Sequence, residues 1–181
     1  MPVVTPPEKV LVTGASGFIG AWVAHTFLEH GFAGRGTVRS HSKGAYLQKM
    51  FDASHPGLFE YAIVRDISAP GAFDEAVRGV YGIAHTASPV AHAEDPQDLI
   101  RPAVQGTLEI LRSARLCGDG MIKRIVVTAS MASVMEPHPA PYIYSEKDWN
   151  ETSVKEVETK GKDAADIDKY RASKMLAEKA L

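Results

Sequence analysis

The sequence predicts an α/β fold, a doubly wound parallel sheet, and three observations predict it. Short, valine-rich apolar runs alternate with amphipathic stretches of helical length along the 181 residues. A triplet of glycines, Gly14, Gly17 and Gly20, follows the first apolar run at once and opens the first helical stretch. The composition, 45% apolar and 23% charged, is that of a globular chain with a real core. Strand and helix in regular alternation require parallel strands joined by right-handed crossovers.

The elements follow in order. Lys9–Thr13 is too short for a helix and reads as a buried strand. Residues 18–30 place Phe18, Ile19, Val23, Phe27 and Leu28 at helical spacing, and Gly31 is a stop. Strands are predicted at 36–39, 59–64 and 80–86, with helices at 43–51 and 72–78 between them. Residues 99–116 read as an amphipathic helix whose packed side holds Val104, Leu108, Leu111 and Leu116. A fifth strand is expected over 122–130. Residues 131–163, with Pro137, Pro139, Pro141 and many charges, read as a long loop, and 164–181 as a last helix.

Composition excludes some functions. A net charge of -2, with basic residues scattered, offers no field for nucleic acid or an anionic membrane. No apolar run reaches the roughly 18 residues of a membrane span. The N-terminal seven residues lack the features of a signal peptide, and Cys117 is the single cysteine, so a cytoplasmic protein with a packed thiol is expected. No His, Cys and acid share a metal-ligand spacing, so no metal site is expected.

In doubly wound sheets ligands bind past the carboxyl ends of the strands. Gly14 permits the tight turn there, Gly17 a close backbone approach, and Gly20 close packing of helix on strand. The helix N-terminus then offers free N–H groups to a pyrophosphate. After the second strand, an NAD site carries an acid for the ribose 2′-hydroxyl. This chain has Arg39 and Lys43 and no acid between them, which suits a 2′-phosphate and favours NADP(H). In the last helix Tyr170 and Lys174 stand four apart, on one face. A phenol with a pKa of about 10 is a poor proton donor unless a cation steadies its anion. Ser130, read as the end of the fifth strand, stands ready to bond a carbonyl oxygen.

These segments, with Asp66-Ile67, His85-Thr86-Ala87-Ser88-Pro89 and the run 144–150, resemble the extended short-chain dehydrogenases/reductases of the NAD-dependent epimerase/dehydratase superfamily. The pattern is most similar to dihydroflavonol and cinnamoyl-CoA reductases and to fungal ketone/aldehyde (methylglyoxal-type) reductases. The resemblance implies a Rossmann domain over residues 1–181 that reduces a ketone or aldehyde with NADPH. It implies that Gly14, Ser16, Gly17, Phe18, Ile19 and Gly20 surround the pyrophosphate and that Arg39 and Lys43 hold the 2′-phosphate. Asp66 and Ile67 would meet the adenine; Thr86, Ala87 and Ser88 the ribose and nicotinamide. Ser130 would polarise the carbonyl, Tyr170 donate the proton, and Lys174 bind ribose and lower the tyrosine pKa.

Two departures from the pattern stand out. Ala103 occupies the place of an asparagine that belongs to the proton relay of many members. The family also continues past the tyrosine helix into further strands and a C-terminal substrate domain, which these residues do not include. From this the expectation follows that the 181-residue chain by itself binds NADPH weakly, turns over little and self-associates through an uncovered sheet edge. Alternative readings are a nucleotide-sugar epimerase or dehydratase of the same fold, a non-catalytic NADP-sensing module, and a weakly catalytic NADP-binding fragment.

Overall fold

A computed structural model describes residues 3–90 and 93–181. The chain divides into two compact units, one of Met1–Ala87 with Glu109–Thr128, the other of Ser88–Leu108 with Ala129–Leu181.

The first unit holds the sheet. Strands β1 (Lys9–Thr13), β2 (Ala33–Val38), β3 (Phe59–Ile63), β4 (Gly82–His85) and β5 (Arg124–Val127) lie in the order β3-β2-β1-β4-β5. All four pairings are parallel. Helices α1 (Phe18–Glu29) and α2 (His41–Asp52) supply Ala24, Leu28, Leu47 and Phe51 to a core with Val12, Val38 and Phe59. A second core gathers Leu11, Val64, Phe73, Val77, Val80 and Ile83 around Ile110 of helix α3 (Gln97–Cys117). A polar brace links the strands of the sheet to residues 76–78. Arg35 donates to Glu60 at 2.7 Å and to the carbonyls of Ala76 and Arg78 at 2.8 and 2.7 Å, while Lys9 bonds the same Glu60.

Four sequence expectations need correction here. Strand β2 starts at Ala33, earlier than expected, because its first half is glycine-rich for reasons of space. A Cβ on Gly36 would sit 2.6 Å from the Ala15 methyl and 2.8 Å from the Phe59 ring. Residues 72–78 are successive turns and not a helix. Gly71 and Gly79, with φ of 71° and 67°, bracket a stretch too short to propagate one. On α3 Val104 and Leu111 pack as expected, but the most buried stripe is Leu99, Ala103, Thr107, Ile110 and Ser113, and Leu108 and Leu116 are 37% and 66% exposed. The hydroxyl of Ser113 bonds Asp74 at 2.6 Å and buried Glu109 accepts the Gly71 N–H, so polar residues pack where leucines were expected. Finally, β5 ends at Val127, so Ser130 lies beyond the strand.

The second unit is helical. Helices α4 (Glu151–Lys160) and α5 (Asp166–Lys179) pack on one another, with Val157, Ala164 and Ala172 against Ile100. Helix α4 lies inside the stretch expected to be loop. Its sequence is too polar for an apolar period to show, and its start is fixed by Asn150, which is 1% exposed. The Asn150 carboxamide accepts the Ser153 N–H at 3.0 Å and donates to the carbonyls of Ala132 and Met135.

Candidate functional site

The glycine turn after β1 is built by contacts that admit no side chain. Gly14 has φ of 66°, and a Cβ on Gly20 would lie 2.4 Å from the Gly14 carbonyl oxygen. The turn is tied to β2, since Gly14 N–H donates to the Thr37 hydroxyl and Ala15 N–H to the Thr37 carbonyl, each at 3.0 Å. Thr13, fully buried, ties it to β4. Its Oγ1 accepts the N–H groups of Thr86 and Ala87 at 3.0 Å and lies 2.9 Å from Nδ1 of His85. With two bonds accepted, the Thr13 O–H is left to donate to Nδ1, so the His85 proton belongs on Nε2. Thr86 closes the ring by donating its hydroxyl to the Thr13 carbonyl at 2.5 Å. Thr13 and Thr37 were not among the predicted site residues; the signal was a β-branched hydroxyl directly before the first glycine. His85 is 3% exposed, with its ring edge-on to Phe73.

Past this turn, Ser16, Gly17, Phe18 and Ile19 are exposed, Phe18 by 85%. No side chain caps the first turn of α1, so its N–H groups point outward unclaimed by a cap. A cleft of about 440 Å³ begins there, lined by Ser16, Gly17, Phe18, Trp22, Lys43 and Tyr46 among others. Arg39, just past β2, and Lys43, in the first turn of α2, are both exposed. Among the described residues neither side-chain cation has a hydrogen-bond or ion-pair partner. These features fit an anionic dinucleotide with an additional phosphate. Asp66 accepts the N–H and hydroxyl of Ser68, at 2.8 and 2.7 Å, and Ile67 is half-buried against the second core. Burial first, and then the neighbouring Asp74 carboxylate, push the Cys117 thiol above its ordinary pKa, which disfavours its thiolate.

In the second unit Ser130 precedes a single turn of 3-10 helix, Met131–Ser133, and its Oγ accepts the Ala132 N–H at 3.2 Å. That bond orients the oxygen and leaves the O–H free to donate. Helix α5 packs on this turn and carries Tyr170 and Lys174. The Lys174 ammonium lies 5.4 Å from the centre of the Tyr170 ring and donates to the Ser88 hydroxyl at 2.5 Å. Burial lowers the pKa of Lys174, since its ammonium has given up much of its water. Ala103, at the departure from the family pattern, is 3% exposed, and its carbonyl accepts the Thr107 hydroxyl.

A parallel sheet in this order with a glycine turn after β1 defines a dinucleotide-binding α/β protein. The chain belongs to the NAD dependent epimerase/dehydratase family, whose model matches residues 10–181. It is 45% identical over 152 residues to aldehyde reductase 2 of Sporidiobolus salmonicolor, covering 83% of this chain and 44% of that protein. It resembles Gre2 of Candida albicans, solved in complex with NADPH, with a TM-score of 0.85 and 34% identity over 96% of this chain and 52% of that one. The yeast methylglyoxal/isovaleraldehyde reductase Gre2, also complexed with NADPH, gives a TM-score of 0.84 and 30% identity, covering 95% of this chain and 51% of that one. The chain thus spans about half the length of these relatives.

Proposed function

We propose that these residues form the cofactor- and proton-handling part of an NADPH-dependent carbonyl reductase. One observation carries the reading: the half-buried ammonium of Lys174 lies over the ring of Tyr170 and is fixed by Ser88. A lysine whose ammonium is destabilised by burial gains most from an anionic neighbour, and a phenolate is that neighbour. Tyr170 therefore donates its proton to the oxygen of the reduced carbonyl, and Lys174 steadies the anion left behind. Ser130 donates its free O–H to the same oxygen as charge develops there.

The cofactor reading rests on the glycine turn and the two uncommitted cations. The α1 N-terminus, with Ser16, Gly17, Phe18, Ile19 and Gly20, receives the pyrophosphate; Arg39 and Lys43 receive the 2′-phosphate. Asp66 and Ile67 border the adenine, Thr86, Ala87 and Ser88 the ribose and nicotinamide, and Lys174 a ribose hydroxyl. When bound, NADPH supplies the hydride. The substrate is a small aldehyde or ketone, of the class that the aldehyde reductase and methylglyoxal/isovaleraldehyde reductase relatives reduce. A single cysteine suits a reducing cytoplasm, and cell fractionation tests that placement. We further propose that the 181 residues expressed alone self-associate through β5.

The test is NADPH oxidation against a panel of aldehydes and ketones, in a chain that turns over. Tyr170→Phe should lower kcat about 10²–10⁴-fold with NADPH affinity kept, the range of a positioned general acid. Retention of most of kcat would remove Tyr170 from the chemistry.

A further inference from the structure

Lys169, immediately before Tyr170, is 3% exposed, which is unusual for a lysine. Its ammonium has the partners that burial demands. It donates to the carbonyl of Glu94 at 2.9 Å and of Ala93 at 3.3 Å, and lies 3.6 Å from the Asp166 carboxylate. Two of its three protons are taken by carbonyls, and the nearby carboxylate offsets its charge. Two of the oxygens are backbone, so Lys169 grips the chain itself and not a particular side chain.

The gripped residues lie a few positions beyond Ser88, which the next lysine of α5 holds. Lys174 donates to Ser88 and Lys169 to Ala93 and Glu94, so two ammoniums bracket Tyr170 and hold the same segment. The two lysines are about 7.5 Å apart along the helix axis, at 1.5 Å per residue. A buried ammonium deprived of its acceptors is strongly unfavourable, so the grip is stiff. Ser88 can stay on Lys174 only while the chain leading away from it is held in place.

We infer that Lys169 is a positioning residue, whose buried ammonium holds the Ala93–Glu94 backbone on α5 and so maintains the Lys174–Ser88 contact beside Tyr170. This deepens the reductase reading and rests on it for the catalytic consequence, but the positional claim stands on geometry alone.

Hydrogen exchange of the protein without cofactor reads the position directly. Lys169→Met keeps the stem and removes the charge. Protection around Ser88 and Glu94 should fall at least tenfold, with protection of β1 and β4 unchanged. Lys169→Arg, which restores a donor, should recover part of it. In a chain that turns over, Lys169→Met should lower kcat about tenfold, because a small displacement of catalytic groups is enough. NADPH affinity should weaken a fewfold and the KM for the carbonyl should hold. Wild-type exchange and kcat in Lys169→Met would overturn the inference while leaving the Tyr170 reading intact. Local loosening in a protein that reduces no carbonyl would leave the grip standing and remove the reductase reading. If Lys169→Met loses protection in β1 and β4 as well, Lys169→Arg decides: partial recovery around Ser88 and Glu94 with β1 and β4 at wild-type protection supports the grip, and any loss spread over the sheet overturns it.

Discussion

Arg39 and Lys43 leave β2 and enter α2 with their charges uncommitted among the described residues, and that sets what a cofactor test should show. A hydrogen bond to a charged group contributes about 1.5–3 kcal/mol. Arg39→Ala should therefore weaken NADPH roughly ten- to a hundredfold. NADH, which has no 2′-phosphate, should bind nearly as before. Fluorescence titration of both cofactors measures the difference, and equal losses would place Arg39 away from the phosphate. The chemistry at this scale was legible where a residue type is forced by its position. Gly20 is glycine because a Cβ would meet the Gly14 oxygen at 2.4 Å, and Tyr170 and Lys174 are paired by helical spacing alone. Lys169 was not legible, since its partners are the carbonyls of Ala93 and Glu94, distant in sequence, and no local pattern announces a bond to a carbonyl.

At the scale of elements, β1, β2 and β3 are tied together by Lys9, Arg35 and Glu60. Burial acts to raise the Glu60 pKa, but the bonds from Lys9 and Arg35 outweigh it and hold the carboxyl below its ordinary range. A carboxyl depressed by folding stabilises the fold above its unfolded pKa of about 4.3, and that contribution disappears as pH falls through the lower folded value. Glu60→Gln should be less stable than wild type at neutral pH by no more than about 1 kcal/mol, because the carboxylate is nearly half exposed and screened. Thermal melts at descending pH should show the two proteins converging as pH falls below the unfolded value and through the lower folded one; a gap that persists at the acid end would mean that Glu60 acts through packing. The same elements show where sequence pattern suffices. Strand β1 is legible to the residue because apolar neighbours cover it on both sides. Strand β2 was read short because Gly34 and Gly36 answer to Leu28, Ala15 and Phe59 and not to an alternation of their own. Helix α4 was invisible because Asn150 starts it through contacts to Ala132 and Met135, and only Val154 and Val157 mark its inner side.

The behaviour of a polypeptide made of these 181 residues alone follows from how the sheet ends. In the order β3-β2-β1-β4-β5, strand β5 pairs with β4 along one side, and among the described strands none pairs with its other side. Its burial alternates between exposed and half-buried, and Val126 is 57% exposed. Beside it on the first unit lies an apolar cleft of about 390 Å³, lined by Val3, Val23, Phe27, Phe32, Ile83 and Val126 among others. Parallel sheets are ordinarily covered on both faces, and an open apolar edge is a template for pairing with another copy. Arg124 and Thr128 at the two ends of the strand weaken that tendency without removing it, because Ile125-Val126-Val127 between them carries no charge. The 181-residue polypeptide should therefore self-associate, with a mass from light scattering that rises with concentration. Val126→Lys puts a charge on the exposed side of the edge, where natural sheets use lysine to block such pairing. It should shift the protein toward monomer while leaving NADPH affinity as it was, since Val126 is not among the residues assigned to the cofactor. A wild-type polypeptide that stays monomeric across the concentration range would show that the β5 edge is already protected, and an unchanged mass in Val126→Lys would move the contact elsewhere on the surface.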